Sequence, residues 1–427
     1  MFEICKHDEC TGCYACVAVC PHGSIYIQED KYGELHPVVD EDKCVHCNAC
    51  IKTCPNNNSR EGVWPIKCYA SWITDKAKRS LCASGGIGTI LGEYVILYKH
   101  GVVYGTAYDE DFTPRVTYTE TLEGLEKFKG SKYVQSIVGG NTYKEVREFL
   151  KKGRFVLFIG TPCQIAGLKS FLKRDYDNLI SVDLICHGTS PTRYFTEEIS
   201  HIVEETGIKN LCDIRFRGND DNNHCLSLWD LIIGRKSNNF ALTLWHVVDG
   251  VKKRCYRRSA YTNHYLGGFL LGVTLRENCY SCKYATPERI SDITIGDFIG
   301  LGKKVVFRHS THNVSSVTLN TVKAKIFYQE LSAEMLELTN IERDYAERLE
   351  YRPSLMEPYA KHPLNNPFRE AYIKGGYLFA SRTVLGGEVQ RAKKAEQKSI
   401  SKRILLLPYF AVKKALELLL NKLMFRY

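Results

Sequence analysis

The sequence lacks several features that would place it in a common enzyme class. It has no Walker loop, no G-x-G-x-x-G fingerprint, no Ser/His/Asp-type triad and no pair of carboxylates at a diagnostic spacing. It also lacks a low-complexity tract and a fixed-period repeat. These absences argue against phosphoryl transfer, hydrolysis and repeat architectures, and they leave an ordinary globular composition with 44% hydrophobic and 25% charged residues.

Segments for export or for crossing a membrane are missing as well. The first residues, MFEICKHDEC, contain neither a basic n-region nor an apolar h-region, so we expect a cytoplasmic protein. The longest apolar run, ILLLPYFAV, is too short to span a bilayer. It belongs to a tail, residues 391–427, with ten Lys/Arg and two Asp/Glu, which predicts an amphipathic helix. That helix is expected to lie on the inner face of the membrane, on a partner or on the protein's own core.

Charge is unevenly distributed along the 427 residues. Residues 1–65 carry 5 Lys/Arg and 10 Asp/Glu, whereas the whole chain has a net charge of +10. A basic body suits acidic redox carriers or anionic cofactors. We do not expect nucleic acid as a partner, because no nucleic-acid-binding motif accompanies the charge.

Cysteine, in contrast, is abundant, with 18 residues, and eight of them form a repeated motif. Residues 10–21 read CTGCYACVAVCP and residues 44–55 read CVHCNACIKTCP, which is the same C-x-x-C-x-x-C-x-x-x-C-P spacing twice. In two-cluster ferredoxins the fourth cysteine of each run binds the other cluster. The spacing therefore predicts two [4Fe-4S] clusters, one bound by Cys10, Cys13, Cys16 and Cys54 and the other by Cys44, Cys47, Cys50 and Cys20.

One alternative accompanies this prediction. Paired C-x-x-C motifs also bind zinc, although two identical four-cysteine runs favour iron–sulfur clusters. The segment SIYIQEDKYGELHPVV alternates apolar and polar residues and predicts a β-hairpin beside the clusters. Cys5 stands outside both runs and is interpreted as a bystander.

The rest of the chain alternates predicted helices and strands. IKCYASWIT, VVYGTAYDEDF, RFVLFIG, LISVDLIC and SDITIGDFIG read as strands, and SGGIGTILGEYVILYKHG, TYKEVREFLKKG and CQIAGLKSFLKR read as helices. This order predicts an α/β domain with a mainly parallel sheet. We expect an α+β ferredoxin-like domain at residues 1–60, the α/β domain at residues 61–310 and a helical C-terminal region at residues 311–427.

Cys163 and Cys186 each follow a predicted strand, and a CYSC pair supplies Cys279 and Cys282. Ligands of open parallel sheets gather at the carboxyl ends of the strands, so these four residues are candidates for a third [4Fe-4S] cluster. The alternatives are that Cys163 or Cys186 is a small buried hydrophobe, or that Cys163 is a catalytic thiol at a helix N-terminus. In the same way, Ser84 is a candidate helix cap and Gly85 and Gly86 either approach a phosphate or form a turn before a core helix.

Taken in order, SGGIGTIL, GSKYVQS, GTPCQIAGLKSFL, DLICHG, LRENCYSCKYA and SDITIGDFIG resemble the coenzyme F-420 hydrogenase/dehydrogenase beta subunit family. The resemblance covers about residues 1–302. It implies FAD and [4Fe-4S] clusters, and it supports Cys163, Cys186, Cys279 and Cys282 as ligands of the third cluster.

The resemblance also suggests which loops contact FAD. These residues are Ser84, Gly85, Gly86, Gly130, Ser131, Lys132, Tyr133, Gly160, Thr161, Pro162, Gln164, His187 and Gly188. Lys132 is expected either to pair with the flavin or to be an ordinary exposed lysine. Asp297 is either a flavin-site residue or a residue that forms a turn at a strand end.

The function implied is that of an FAD-dependent iron–sulfur oxidoreductase. It would pass electrons between [4Fe-4S] clusters, with ferredoxin or a reduced deazaflavin as donor, and a two-electron acceptor. The alternative is a non-catalytic electron-relay subunit of a larger redox complex. No individual catalytic residue can be named from the sequence.

Overall fold

The computed structural model describes residues 3–217 and 240–405. Residues 406–427, the larger part of the predicted amphipathic tail, therefore lie outside the described part of the chain. Over the described residues, no helix is both long enough and apolar enough to cross a membrane.

The N-terminal region consists of two short helices and a hairpin. Helix α1 (Ala15–Val19) precedes the antiparallel strands β1 (Ile25–Glu29) and β2 (Leu35–Val39), and helix α2 (Ala49–Thr53) follows them. Each helix lies inside one of the two cysteine runs. The hairpin confirms the strand alternation read from the sequence between the runs.

The central feature of the large domain is an eight-stranded sheet. Its strands are β3 (Lys67–Ile73), β4 (Val102–Tyr108), β5 (Pro114–Thr119), β6 (Val156–Gly160), β7 (Leu179–Leu184), β11 (Ile293–Asp297), β12 (Ser315–Leu319) and β13 (Leu338–Arg343). They lie in the order β13-β3-β12-β11-β7-β6-β4-β5. The four strands β4, β6, β7 and β11 pair in parallel, which confirms the predicted parallel unit, and antiparallel strands extend the sheet on both sides.

Helices cover both faces of this sheet. On one face, α4 (Ile87–Tyr98) and α10 (Val322–Glu334) bury residues such as Ile90 and Phe327 against the strands. On the other face, α6 (Thr142–Lys151) and α7 (Pro162–Leu172) pack on β4 and β6. Tyr14, Ala15 and Ala18 of the N-terminal region join this second core. The cysteine runs are therefore fixed directly against the α6–α7 layer.

A second, three-stranded sheet lies beside the first. It has the order β10-β9-β8, with β8 (Leu211–Arg215), β9 (Ala241–Val248) and β10 (Val251–Ser259) all antiparallel. Helices α8 (Thr192–Thr206), α9 (His264–Leu270) and α12 (Asn365–Leu405) share a core with it. Three further short helices are α3 (Lys76–Ser80), α5 (Leu122–Glu126) and α11 (Tyr345–Leu349).

The predicted helical C-terminal region requires a correction. Strands β12 and β13 both lie after residue 310, and both belong to the central sheet. The boundary predicted at residue 310 therefore cuts through the α/β domain. The helical part begins later, with α12, and this helix is interrupted at Gly375 and Gly376, whose backbone angles are not helical.

Candidate functional site

The two cysteine loops have the same backbone conformation at equivalent positions. Gly12 and His46 occupy the second position after the first cysteine of each run, and their φ angles are 63° and 52°. Tyr14 and Asn48 occupy the fourth position, with φ angles of 66° and 59°, and they are the N-caps of α1 and α2. Left-handed residues turn the chain sharply. The repeated turns wrap both loops in the same way, as two equivalent four-thiolate sites require.

The first predicted ligand group is buried and closely spaced. Cys10, Cys13, Cys16 and Cys54 are each at most 9% exposed. Burial raises the pKa of Cys16, and the neighbouring thiols of Cys13, Cys10 and Cys54 raise it further. Cys54 thus reaches the first run from the second, in the exchanged arrangement that the spacing predicts.

Cys5, interpreted from the sequence as a bystander, lies next to the first group. The neighbouring thiols of Cys10 and Cys54 raise the pKa of Cys5, and burial raises it further. The Asn56 side chain also donates to Cys5 Sγ at 3.9 Å. Because Cys5 lies outside the repeated spacing, only the fold could place it against the first group.

The second predicted group lines a cavity of its own. Cys20, Cys44, Cys47 and Cys50 all border it, together with residues of the hairpin such as Ile25 and Val39. Cys50 is buried, whereas Cys47 is exposed and the adjacent Val45 is 58% exposed. The second group therefore lies nearer to solvent than the first.

The third predicted group also lines one cavity. Cys163 lies in the first turn of α7 after β6, and Cys186 follows the end of β7. Cys279 belongs to a short 3-10 turn, Glu277–Ser281, and Cys282 ends that turn. All four border the same cavity, and Thr11 and Gly12 of the first cysteine loop form part of its wall. The fold thus brings the third group next to the first.

The thiols of the third group lie in a low-dielectric environment. Burial raises the pKa of Cys163 to about 11 and that of Cys279 to about 12, while the charge of Arg276 opposes both shifts. Burial also raises the pKa of Cys186 and of Cys282. Such thiols are protonated at neutral pH, so a metal that binds them must displace their protons. The donor set itself, four cysteine thiols that line one cavity, fits an iron–sulfur cluster.

The residues predicted to contact FAD fall into two groups. Thr161, Pro162, Gln164, His187 and Gly188 line the cavity of the third cysteine group, and Gly160 ends the strand that leads into it. The other predicted residues do not line this cavity.

In the first group, most polar atoms already have partners in the protein. Gln164 accepts a hydrogen bond from the Thr161 backbone at 2.9 Å as part of a capping box at the start of α7. His187 Nε2 lies 3.1 Å from the carbonyl oxygen of Phe269, and burial lowers the pKa of His187 to about 4. These residues therefore hold the loops around the cavity in place.

Ser84 does not have its predicted capping role. Gly86, with φ of 87°, is the N-cap of α4, and the Ser84 hydroxyl is 3.4 Å from the carbonyl oxygen of Val314. Gly85 donates its backbone N–H to Ser315 Oγ at 3.0 Å, and a side chain at Gly85 would collide with Ser71 and Ser315. The glycines are explained by packing against β3 and β12, which does not require a phosphate.

Lys132 and Tyr133 lie near charged residues at the ends of β8 and β11. The ammonium group of Lys132 donates to the carbonyl oxygens of Lys127 and Lys129 at 3.0 and 3.2 Å. Burial lowers the pKa of Lys132 to about 7, and Arg215 lowers it further. Burial also raises the pKa of Tyr133, which lies near Arg217 and Asp297.

Arg217 and Asp297 form an ion pair of 2.5 Å at this edge of the sheet. Gly130, which opens the Lys132 loop with φ of 81°, has free space around it. Arg217, paired with Asp297, and Lys132 lie at the carboxyl edge of the sheet, where a bound anionic cofactor would favour the charged form of Lys132. Asp297 therefore has a role beyond forming a turn.

A histidine-containing cluster in the N-terminal region has a different character. His7 Nε2 and His36 Nε2 lie 3.5 and 3.8 Å from Asp30 Oδ2. The two imidazole rings are stacked, with centroids 3.8 Å apart and an angle of 18° between planes. Nearly parallel rings do not direct their lone pairs at a common point, so this cluster is not arranged to coordinate one ion.

Sequence reasoning missed several residues around the cavity of the third group. Arg276 is 1% exposed and donates to the carbonyl oxygen of Cys10 and to Gln135 Oε1, at 3.0 and 2.7 Å. Arg289 is equally buried and forms an ion pair with Asp183 at 2.8 Å. Their partners lie more than a hundred residues away along the chain, so no local pattern could reveal these contacts.

Comparison with known proteins agrees with this geometry. Residues 9–58 match the model of a 4Fe-4S dicluster domain, so the chain is an iron–sulfur protein. Residues 153–344 match the C-terminal region of the beta subunit of coenzyme F420 hydrogenase/dehydrogenase. This match covers less than half of the chain and agrees with the resemblance to that family noted in the sequence.

One solved structure is similar over most of the chain. It is a chain of the F420-reducing [NiFe] hydrogenase complex from Methanosarcina barkeri, in a xenon-derivatised form, with 15% sequence identity and a TM-score of 0.41. The match covers 78% of this chain and 93% of that chain. No curated protein matches the sequence.

Proposed function

We propose that the protein is an FAD-dependent iron–sulfur oxidoreductase with three [4Fe-4S] clusters. The ligands would be the three cysteine groups described above, and the donor would be ferredoxin or a reduced deazaflavin. When bound, the clusters would supply one-electron transfer, and FAD would link it to a two-electron acceptor.

The observation that carries this proposal is the order of the three cysteine groups. The second group lies nearest to solvent, with Cys47 exposed. It shares a hydrophobic cluster with Cys16 and Cys54 of the first group. Thr11 and Gly12, which follow Cys10 of the first group, line the cavity of the third group. The second group thus adjoins the first, and the first adjoins the third.

Helix α7 connects the first and third cysteine groups. A side chain at Gly167 of α7 would meet Cys13 Cβ at 2.9 Å and Sγ at 3.1 Å, so α7 packs directly against the first group. The same helix carries Cys163 in its first turn. One rigid helix therefore fixes the spacing between the first and third sites.

The place of FAD would be the carboxyl edge of the sheet near Lys132. There, Lys132 and Arg217 would hold the anionic pyrophosphate or the electron-rich edge of the flavin ring. The loops of Thr161 to Gln164 and His187 to Gly188 would separate this place from the third cysteine group.

The experiment that tests the proposal is anaerobic purification followed by analysis of iron and acid-released flavin. Three clusters predict about 12 irons per chain, and FAD should be released in equimolar amount. About eight irons would exclude the third cluster. A chain loaded with iron but without flavin would exclude the FAD assignment.

A relay subunit of a larger complex is the second candidate. The exposed Cys47 and the family's description as a beta subunit favour it. A purified chain that reduces an acceptor by itself supports the enzyme, whereas activity that appears only with a partner subunit supports the relay. Contact with the inner face of a membrane through residues 391–427 remains part of the proposal, and a vesicle-binding assay with anionic lipid tests it.

A further inference from the structure

Arg276 occupies a position that belongs to two of the cysteine groups at once. Its backbone is part of the third site, because its N–H donates to the carbonyl oxygen of Thr189 at 2.9 Å and its carbonyl accepts from the N–H of Cys279 at 3.0 Å. Its guanidinium reaches the first site, where Nη2 donates to the carbonyl oxygen of Cys10 at 3.0 Å.

The remaining donors of Arg276 are also directed into the protein. Nη1 donates to Gln135 Oε1 at 2.7 Å, Nε donates to Asn278 Oδ1 at 3.1 Å, and both terminal nitrogens lie 3.3 Å from the carbonyl oxygen of Leu35. These bonds satisfy the guanidinium with neutral oxygens. They fix its position without cancelling its charge.

Neutralisation by a carboxylate is incomplete. Among the described residues, Arg276 has an ion-pair partner in Glu34, at 4.0 Å from Nη2, and Glu34 also pairs with Arg369. Burying a charge without a close counter-ion costs several kcal/mol in general. A buried arginine in this state is better explained if other negative charge faces it, and two four-thiolate clusters would supply that charge.

We propose that Arg276 raises the reduction potentials of the first and third clusters together, so that loss of its charge lowers both. This inference rests on the proposed function, because it requires both clusters. Reduction adds one negative charge to a cluster, and a fixed positive charge at short range favours the reduced form. When an electron passes between the two sites, one cluster is oxidised and the other is reduced, and the same cation faces both.

The second cluster provides an internal reference. None of the hydrogen bonds of Arg276 described above involves Cys20, Cys44, Cys47 or Cys50, and that cavity is lined by other residues. Its potential should therefore be insensitive to Arg276. Arg276 is in this sense a positioning residue that acts through the clusters and does not itself exchange electrons.

The test is a redox titration of the anaerobically reconstituted full chain, followed by electron paramagnetic resonance. In Arg276→Gln, two of the three potentials should fall and the third should stay unchanged. Arg276→Lys keeps the positive charge, so its reduction potentials should lie closer to the wild-type values than those of Arg276→Gln. Arg369→Gln is the matched control, because it removes a cation that pairs with Glu34 and Glu277 but forms no contact with a cysteine in the described chain.

A second variant guards against a folding defect in Arg276→Gln. Gln135→Glu keeps the guanidinium and places a carboxylate beside Nη1, so both potentials should again fall. Cluster-loaded variants with three unchanged potentials, or with a shift in one cluster only, would overturn the inference. A wild-type chain with only two clusters would instead overturn the third cluster of the proposed function.

Discussion

At the scale of single residues, a buried ion pair lies next to residues that line the third cysteine cavity. Arg289 donates to the carbonyl oxygens of Tyr284 and Thr286, both at 3.1 Å, and to Asp183 at 2.8 Å. It ties the loop after Cys282 to β7, the strand that leads to Cys186. The second carboxylate oxygen of Asp183 is buried without a hydrogen-bond partner. Such a pair is a poor source of stability, which suggests that it serves to fix the loop.

Replacing Arg289 should be more harmful than removing the whole ion pair. Arg289→Met leaves Asp183 buried and uncompensated, and we expect a loss of about 3–5 kcal/mol in the free energy of unfolding. The double variant Asp183→Asn/Arg289→Met should recover part of this loss. Anaerobic urea denaturation, followed by circular dichroism, measures both. A double variant no more stable than Arg289→Met would contradict the account.

The cysteine ligand groups could be predicted from sequence, whereas the charges around them could not. Each C-x-x-C run is a local pattern whose spacing carries the chemistry. Arg276, however, meets Cys10 across 266 positions of the chain, and Arg289 meets Asp183 across 106. Contacts of this kind depend on how the strands are ordered in the sheet, which no local pattern records.

At the scale of elements, the predicted strands were those with an apolar run before a loop. The run VLFIG of β6 and the run LISVDL of β7 are examples. β12 (SSVTL) and β13 (LTNIER) are short and partly polar, and they become strands because they pair with β3. The antiparallel edge of the sheet was missed for this reason.

Two glycines of α12 differ in backbone conformation. Gly376 has φ of 74° and ψ of −173°, a conformation that side chains strongly disfavour, whereas Gly386 lies in the helical part with open space around it. We expect Gly376→Ala to lower the free energy of unfolding by about 1–3 kcal/mol. Gly386→Ala is the control and should raise it by about 0.4–1 kcal/mol. Urea denaturation measures both changes. Equal effects of the two substitutions would show that the conformation of Gly376 does not require glycine.

The packing of α8, α9 and α12 should respond to pH through His264. Burial lowers the pKa of His264 to about 4, and the charges of Arg382, Lys393 and His201 lower it further. The unfolded chain, with a pKa near 6.5, takes up the proton first. The stabilisation is therefore complete above about pH 6.5 and is lost as the pH falls towards 4.

The variant His264→Asn tests this pH dependence. The wild-type protein should lose about 1 kcal/mol more than the variant between pH 7 and pH 5, since solvent reaches part of the imidazole. Denaturation of both proteins in the same buffers measures the difference. Parallel pH profiles would mean that His264 does not carry the effect.

At the scale of the whole molecule, the exposed second cysteine group lies in the acidic part of the chain. Residues 1–65 hold 10 Asp/Glu and 5 Lys/Arg, and Glu41 and Asp42 are exposed a few residues before Cys47. Oppositely charged partners approach such a surface faster, and salt screens the attraction over about 8–10 Å. A basic surface on the redox partner is therefore the matching one.

Small donors of opposite charge should reveal this surface directly. Anaerobic stopped-flow reduction by reduced methyl viologen, a cation, should slow as salt is added, while reduction by a sulfonated, anionic viologen should speed up. Asp42→Lys should weaken both trends, and Asp111→Lys, an exposed residue in the β4–β5 turn, is the matched control. If the two donors respond alike to salt, or if the control behaves like Asp42→Lys, electrons do not enter through the acidic surface beside Cys47, and the order of sites proposed here begins elsewhere.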